Sequence, residues 1–359
     1  MTSPTLNYVS CPDASGGHRM AYWQWGDPSG SHVVVCVHGL SRQGRDFDVL
    51  ARALCEQGAD TPGGLRVVCP DVVGRGESDW LKDPMGYQLP TYAADMLALL
   101  AQLHAQAPVK VLDWVGTSMG GLIGMVLAGQ PGLPLPSAAG PSQGASAPLG
   151  LTSAAPSLPA QAWTDGRAAA SRSGTSSAAH EVASVGASIL PVRKLVLNDV
   201  GPVIQWKAIQ RIGTYLGQTG RFRSLQEAAD AMWAISTGFG PHTPEQWLAL
   251  SRPMVKPVDG AASGDLRLHY DPAIAVPFRG ATEASTQQGE AMLWQLYDGI
   301  RAQTLITRGA QSDLLSPQTA LAMTQRGPHA RLVTFEGVGH APTLMAAEQV
   351  ATLTDFLLH

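Results

Sequence analysis

The segment Val111-Leu112-Asp113-Trp114-Val115-Gly116-Thr117-Ser118-Met119-Gly120-Gly121 constrains this chain more than any other. It reads as an apolar strand that runs into Gly-x-Ser-x-Gly and then directly into a helix, the context of a nucleophile elbow. A serine on so tight a strand-to-helix turn takes a strained backbone conformation, and only glycines two residues to either side leave room for the turn to pack. Ser118 is therefore expected to stand clear of a sheet with its hydroxyl exposed. The N–H of Met119, in the first helical turn, is aimed at an oxygen that gains negative charge when Ser118 attacks a carbonyl. The pentapeptide alone is a weak signal in a chain with 39 glycines, since a plain turn also satisfies it. Three further segments decide the matter.

Upstream, Val33-Val34-Val35-Cys36-Val37-His38-Gly39-Leu40 is an unbroken apolar run closed by His-Gly. Such a run suits a strand buried on both faces of a parallel sheet. The loop after it lies where open α/β sheets place their sites and can offer a second backbone N–H to an oxyanion, with Leu40 as the donor and Ser41 as its rival. His38 reads as a brace for that loop rather than a proton carrier. Downstream, Thr304 to Asp313 and Leu332 to Pro342 are each a short β-rich run followed by a polar, Gly-containing loop that carries a titratable residue, Asp313 in the first and His340 in the second. A helix, Pro317 to Gln325, separates them. A further buried-strand pattern, Lys194-Leu195-Val196-Leu197-Asn198, ends on Asp199 before Val200-Gly201-Pro202, where a loop-bracing Asx turn is the plain reading.

Together these segments resemble the α/β-hydrolase fold serine hydrolases, in the esterase-like branch that carries a helical cap. Val67-Val68-Cys69-Pro70-Asp71-Val72-Val73-Gly74-Arg75-Gly76-Glu77-Ser78-Asp79 is similar to that family's loop after its fourth strand, and the likeness covers roughly residues 5 to 130 and 190 to 359. The resemblance implies a mostly parallel eight-stranded sheet flanked by helices. It implies a triad in the chain order Ser118, Asp313, His340, with an oxyanion hole from Leu40 and Met119. Asp313 is preferred over Asp199 because its strand is the one the family most often uses. In that scheme His340 takes the Ser118 proton, an acyl enzyme forms on Ser118, and water activated by His340 releases the acid. The expected activity is hydrolysis of a small to medium, mainly apolar carboxylic ester. The alternatives are carbon–carbon bond hydrolysis of the meta-cleavage type on the same triad, disfavoured by Thr117 before the nucleophile, and a noncatalytic ligand-binding protein on the same fold.

Strands are expected near residues 5 to 10, 19 to 25, 32 to 38, 66 to 69, 109 to 115, 193 to 198, 303 to 307 and 331 to 335, with helices over Thr91 to His104 and Leu344 to Leu358. The chain divides into an N-terminal core, 1–130; a low-complexity Ala/Gly/Ser/Pro insertion, 131–190, read as disordered; a core strand, 191–202; a helical cap, 203–293; and a C-terminal core, 294–359. Spaced apolar residues such as Ile209, Ile212 and Leu216 and the aromatics Trp206, Tyr215, Trp233, Phe239 and Trp247 mark the cap. With 45% hydrophobic residues the chain can bury a large core. A net charge of −4 gives no reason to expect nucleic acid or an anionic membrane as partner, and no run approaches the roughly 18 apolar residues of a membrane span. No HExxH or CxxC spacing is present, Gly74-Arg75-Gly76 lacks the third glycine and the lysine of a phosphate loop, and the chemistry requires no metal or organic cofactor. Four irregularly placed cysteines and no leader-like N-terminus suggest a reduced cytoplasmic protein whose partner is a small-molecule ester.

Overall fold

The computed structural model describes residues 3–13, 15–130, 190–258 and 264–359. The expected low-complexity insertion therefore lies, but for Leu190, outside the described residues. In chain order the strands are β1 (Thr5–Cys11), β2 (His18–Gly26), β3 (His32–Val37), β4 (Leu65–Pro70), β5 (Val111–Thr117), β6 (Lys194–Asn198), β7 (Arg221–Phe222), β8 (Val255–Pro257), β9 (Leu266–Leu268), β10 (Gln303–Gly309) and β11 (Arg331–Phe335). Eight of them form one sheet in the order β1-β2-β4-β3-β5-β6-β10-β11. The β1–β2 and β2–β4 pairs are antiparallel, and all pairs from β4 to β11 are parallel. All eight strands coincide with those expected from the sequence.

The sheet sorts its side chains by the two-residue period of a strand. Val33, Val35 and Val37 face one apolar cluster with Leu112, Trp114, Leu195, Leu197 and Ile306. Val34 and Cys36 face the other with Val67, Cys69, Val115, Val196 and Leu305. Helices α1 (Asp48–Gln57) and α10 (Ala347–Leu358) cover the second face through Leu50, Leu54, Leu353 and Leu357. The first face is covered by α2 (Leu89–Gln106), α3 (Met119–Gly129), α8 (Glu283–Gly299) and α9 (Pro317–Gln325), through residues such as Met96, Ile123, Tyr297 and Met323. All six β3 residues are buried, which explains why the sequence there is a continuous run and not an alternation. Each such aliphatic side chain contributes about 1.5–3 kcal/mol by leaving water.

Between β6 and β10 run α4 (Trp206–Tyr215), α5 (Leu225–Ser236), α6 (Pro244–Ser251), α7 (Ala275–Arg279) and α8. Sequence periodicity suggested helices alone, but β7, β9 and β8 form a separate three-stranded antiparallel sheet. Strands of two or three residues are too short to leave a periodic trace. Helix α8 continues through residue 293, where the sequence placed the end of this unit, and packs against α3: a methyl group on Gly129 would meet the Leu296 carbonyl oxygen at 2.3 Å. The last helix starts at Ala347 and not at Leu344, because Leu344 has φ 60, which no right-handed helix accommodates. Among the described residues no helix is long and apolar enough to cross a membrane.

Candidate active site

The parallel register brings the carboxyl ends of the central strands level: Val37 pairs with Gly116, Thr117 with Asn198, and Asn198 with Thr307. The residues that follow, His38, Ser118 and Asp199, therefore emerge side by side, in the crevice where open α/β sheets hold ligands. Ser118 has φ 51 and ψ −115, a conformation that costs on the order of 1–3 kcal/mol for a residue with a side chain. Its glycines have separate steric reasons. A methyl group on Gly116 would lie 2.3 Å from the Gly120 carbonyl, and one on Gly120 would lie 2.0 Å from the Val37 carbonyl oxygen. Either substitution would push the elbow helix off the sheet. The Ser118 N–H is held by the Asn198 carbonyl at 3.0 Å, and the Ser118 carbonyl accepts from Gly121 and Leu122.

His340, in the loop after β11, places Nε2 3.0 Å from Ser118 Oγ. Its other ring nitrogen, Nδ1, lies 2.7 Å from Asp199 Oδ2. A carboxylate only accepts, so Nδ1 carries the proton and Nε2 presents its lone pair to the serine hydroxyl. The sequence preference for Asp313 is thereby corrected. Asp313 turns away to a bidentate pair with Arg211 on α4, at 2.6 and 2.9 Å, and its side chain is 45% exposed. Asp199 is fully buried. Besides His340 it accepts the Gly309 N–H at 2.9 Å and the Ser312 hydroxyl at 2.6 Å. The Arg211 guanidinium holds the Asp313 carboxyl below its usual range against the opposing effect of burial.

Ser312 was not singled out in the sequence, although it stands next to Asp313. Its hydroxyl donates to Asp199 and accepts the N–H groups of Leu314 and Leu315, both at 3.2 Å, so the β10 loop reaches the buried acid through Ser312. Asn198 was also missed. Completely buried, it donates from Nδ2 to Thr117 Oγ1 at 2.9 Å and to the Pro342 carbonyl at 2.8 Å, while Oδ1 accepts the Thr307 hydroxyl at 2.8 Å. One amide thus ties the strand before Ser118, the loop after His340 and β10 together. The available signal was a polar side chain closing the apolar run Leu195 to Leu197 of a buried strand.

The loop after β3 runs beside the nucleophile: a methyl group on Gly39 would lie 3.7 Å from Ser118 Cβ, an ordinary contact. The fully buried Arg75, the centre of Gly74-Arg75-Gly76, donates from Nε to the Leu40 carbonyl at 2.9 Å, and its guanidinium reaches the Val73 carbonyl at 2.6 Å and the Tyr92 hydroxyl at 3.1 Å. His38 accepts the Val72 N–H on Nε2 at 2.9 Å and donates from Nδ1 to the Gly39 carbonyl at 2.7 Å. It is the brace that the sequence suggested. Burial pushes its pKa down to about 3. With an unfolded value of 6.5, the unfolded chain binds the proton first, so this stabilisation is complete above pH 6.5 and is lost as pH falls from 6.5 toward 3. In urea unfolding between pH 7 and 4.5, wild type should lose up to about 1.4 kcal/mol per pH unit more than His38→Gln. Parallel pH dependences would refute the neutral, buried ring.

The elements inserted between β6 and β10 bear on the loops that carry these residues. Gly238 O accepts the Gly339 N–H at 2.6 Å, His242 Nε2 meets Thr343 Oγ1 at 2.8 Å, and Arg42 Nη2 donates to the Leu250 carbonyl at 3.2 Å. Within the insertion Trp233, Phe239 and His242 stand edge-on to Trp247 at 5.0, 6.2 and 5.8 Å between centroids. Trp247 is buried with Ala228, Ala229, Met232, Leu250 and Met254 in the insertion's own small core, against which Trp233 and Phe239 pack.

The model of the α/β-hydrolase fold family matches residues 32–344. A 3-hydroxybutyrate-oligomer hydrolase of Cupriavidus necator is 42% identical over 354 residues, which cover 99% of this chain and 98% of its own. The crystal structure of an α/β hydrolase from Novosphingobium aromaticivorans superimposes with a TM-score of 0.69 at 30% identity and covers 99% of both chains. An esterase of M. tuberculosis, 18% identical, has a TM-score of 0.57 over 99% of this chain and 91% of that one, a likeness of fold alone.

Proposed function

This chain is a hydrolase that belongs to the α/β-hydrolase fold family, and from that premise we propose that it cleaves carboxylic esters through an acyl enzyme on Ser118. The observation that carries the reading is the continuous hydrogen-bonded line Ser118 Oγ, His340 Nε2, His340 Nδ1, Asp199 Oδ2. His340 removes the serine proton as the carbonyl is attacked, then delivers it to the departing alcohol. Asp199 keeps the imidazole in the required tautomer and stabilises its cation. The N–H of Met119, which opens α3, and that of Leu40 stabilise the tetrahedral oxyanion. Water activated by His340 then releases the acid. The insertion that rests on the site loops acts as a cap, limiting water and setting the shape of the acyl and alcohol pockets.

The relative's name narrows the substrate from apolar esters in general to short 3-hydroxybutyrate oligomers, whose internal ester bonds present the same carbonyl to Ser118. The test is release of 3-hydroxybutyrate from its linear dimer and trimer, beside a p-nitrophenyl series from acetate to decanoate. Faster turnover of the oligomers than of any p-nitrophenyl ester of matched length supports the narrower reading; p-nitrophenyl turnover alone keeps the esterase and discards the oligomer. No turnover of either by folded protein would sink both and favour carbon–carbon bond hydrolysis.

Asn198 is a positioning residue in this scheme, acting through Ser118 and His340. Asn198→Ala should lower kcat about 10- to 100-fold with KM nearly unchanged, because small displacements of reacting groups carry penalties of that order. The rate of Ser118 labelling by a fluorophosphonate should fall in parallel. Thr117→Ser, which keeps the hydroxyl, should behave as wild type, and Thr117→Val should show part of the loss. An Asn198→Ala enzyme that loses stability but labels at the wild-type rate would reduce Asn198 to a packing role.

A further inference from the structure

At the edge of the sheet formed by β1 and β2, three side chains that the ester chemistry does not use come together. Cys11 closes β1 and pairs in register with His18, which opens β2; Asp95 reaches the pair from α2. Cys11 and Asp95 are 1% exposed and His18 is 8% exposed. One donor atom of each, a thiol sulfur, a ring nitrogen and a carboxylate oxygen, lies within 4.8 Å of the others. His18 Nε2 is 3.0 Å from Asp95 Oδ2, and Asp95 Oδ1 has no hydrogen-bond partner among the described residues. On the far side of the ring, His18 Nδ1 meets Asp13 Oδ2 at 2.8 Å. Asp13 is itself fixed by the N–H and hydroxyl of Ser15, both at 2.7 Å, and by the Gly17 N–H at 2.9 Å.

We propose that Cys11 Sγ, His18 Nε2 and the Asp95 carboxylate form a binding site for one divalent transition-metal ion of the zinc class, with Asp13 holding the imidazole from behind. The donor set is the first reason. One thiolate, one imidazole and one carboxylate suit a borderline-soft ion and are poor ligands for Mg²⁺ or Ca²⁺, which take oxygen. The second is the carboxylate on the remote ring nitrogen. A metal-bound histidine nearly always donates its other N–H to such a group, which fixes the tautomer and aims Nε2. Spacing is the third. Zinc bonds of about 2.0–2.3 Å in a tetrahedron set ligand atoms roughly 3.3–3.7 Å apart, so the cluster closes around an ion with shifts of about 1 Å or less. The Asp13 side chain is 15% exposed, and Ser15 and Gly16 near it are exposed, so that side of the cluster is the entry side. The three ligands come from β1, β2 and α2, so the bound ion pins the antiparallel hairpin to the helix and takes no part in turnover at Ser118.

The experiment uses the full chain, stripped with EDTA and titrated with Co²⁺. One Co²⁺ per chain should bind with a thiolate-to-cobalt charge-transfer band in the near ultraviolet, Zn²⁺ should bleach it, and Zn²⁺ should raise Tm. Cys11→Ser should lose the band, and Asp13→Asn should keep it with affinity about 10- to 100-fold weaker. Ester turnover should be the same in wild type with and without Zn²⁺. Absence of a stoichiometric band in the wild-type protein overturns the site and leaves a hydrogen-bonded cluster; this reading needs no variant and so does not depend on Cys11→Ser folding. A band that persists in Cys11→Ser assigns the ion to another cysteine and overturns it equally.

Discussion

Replacing Ser118 with alanine is expected to lower kcat for p-nitrophenyl butyrate by roughly 10⁴- to 10⁶-fold while KM and the melting temperature change little. The asymmetry follows from where the hydroxyl stands. Ser118 Oγ contacts His340 Nε2 at the end of the strand, and its removal takes away the proposed nucleophile without opening a cavity in either apolar cluster. Alanine must still occupy the φ 51 conformation, so the backbone strain is retained and the fold should not relax. Fluorophosphonate labelling gives an independent reading, since it reports the attacking oxygen and not the substrate. A variant that hydrolyses esters at more than about 1% of the wild-type rate would move the nucleophile elsewhere.

The second large effect separates two aspartates that the sequence alone left competing. Asp199→Asn should lower kcat by on the order of 10⁴, because the new amide can present N–H where His340 Nδ1 also carries a proton, and the imidazole turns to the wrong tautomer. Removing charge from a group whose oxygens accept from Gly309 and Ser312 as well as His340 should also lower Tm. Asp313→Asn should leave kcat within a few-fold of wild type. Its hydrogen-bonded partner is Arg211, in an ion pair in which both side chains are about two-fifths exposed, and exposed pairs contribute only about 0–1 kcal/mol. Measuring both variants on one ester gives the contrast; comparable losses would mean that Asp313 acts on His340 in turnover despite its pairing with Arg211.

The central sheet strands were legible because burial on both faces demands unbroken apolar runs, as in Val33 to Val37 and Leu195 to Leu197. The elbow was legible for a steric reason written into Gly116 and Gly120. The acid was not. Asp199 and Asp313 each follow a β-rich run, and the choice between them depends on which loop turns inward. Residues 312 and 313 illustrate how fine that choice is: the Ser312 hydroxyl bonds to the buried acid, and its neighbour bonds to a guanidinium on α4. The three-stranded sheet of the insertion escaped notice because its strands are too short to repeat, and Asn198 because its partners Thr117, Thr307 and Pro342 are brought to it only by strand pairing and the return of the β11 loop.

The sequence by itself determined the eight strands of the main sheet and the strained turn at Ser118, which rest on buried apolar runs and on local sterics, while its resemblance to a known family pointed to the hydrolase fold and to His340, whose Nε2 reaches Ser118. Only the tertiary structure decided that Asp199 holds His340, that Asp313 is paired with Arg211, and that Cys11, His18 and Asp95 meet at the sheet edge. Those are contacts between residues distant in the chain, and their distances depend on the packing of strands and loops that no local pattern encodes.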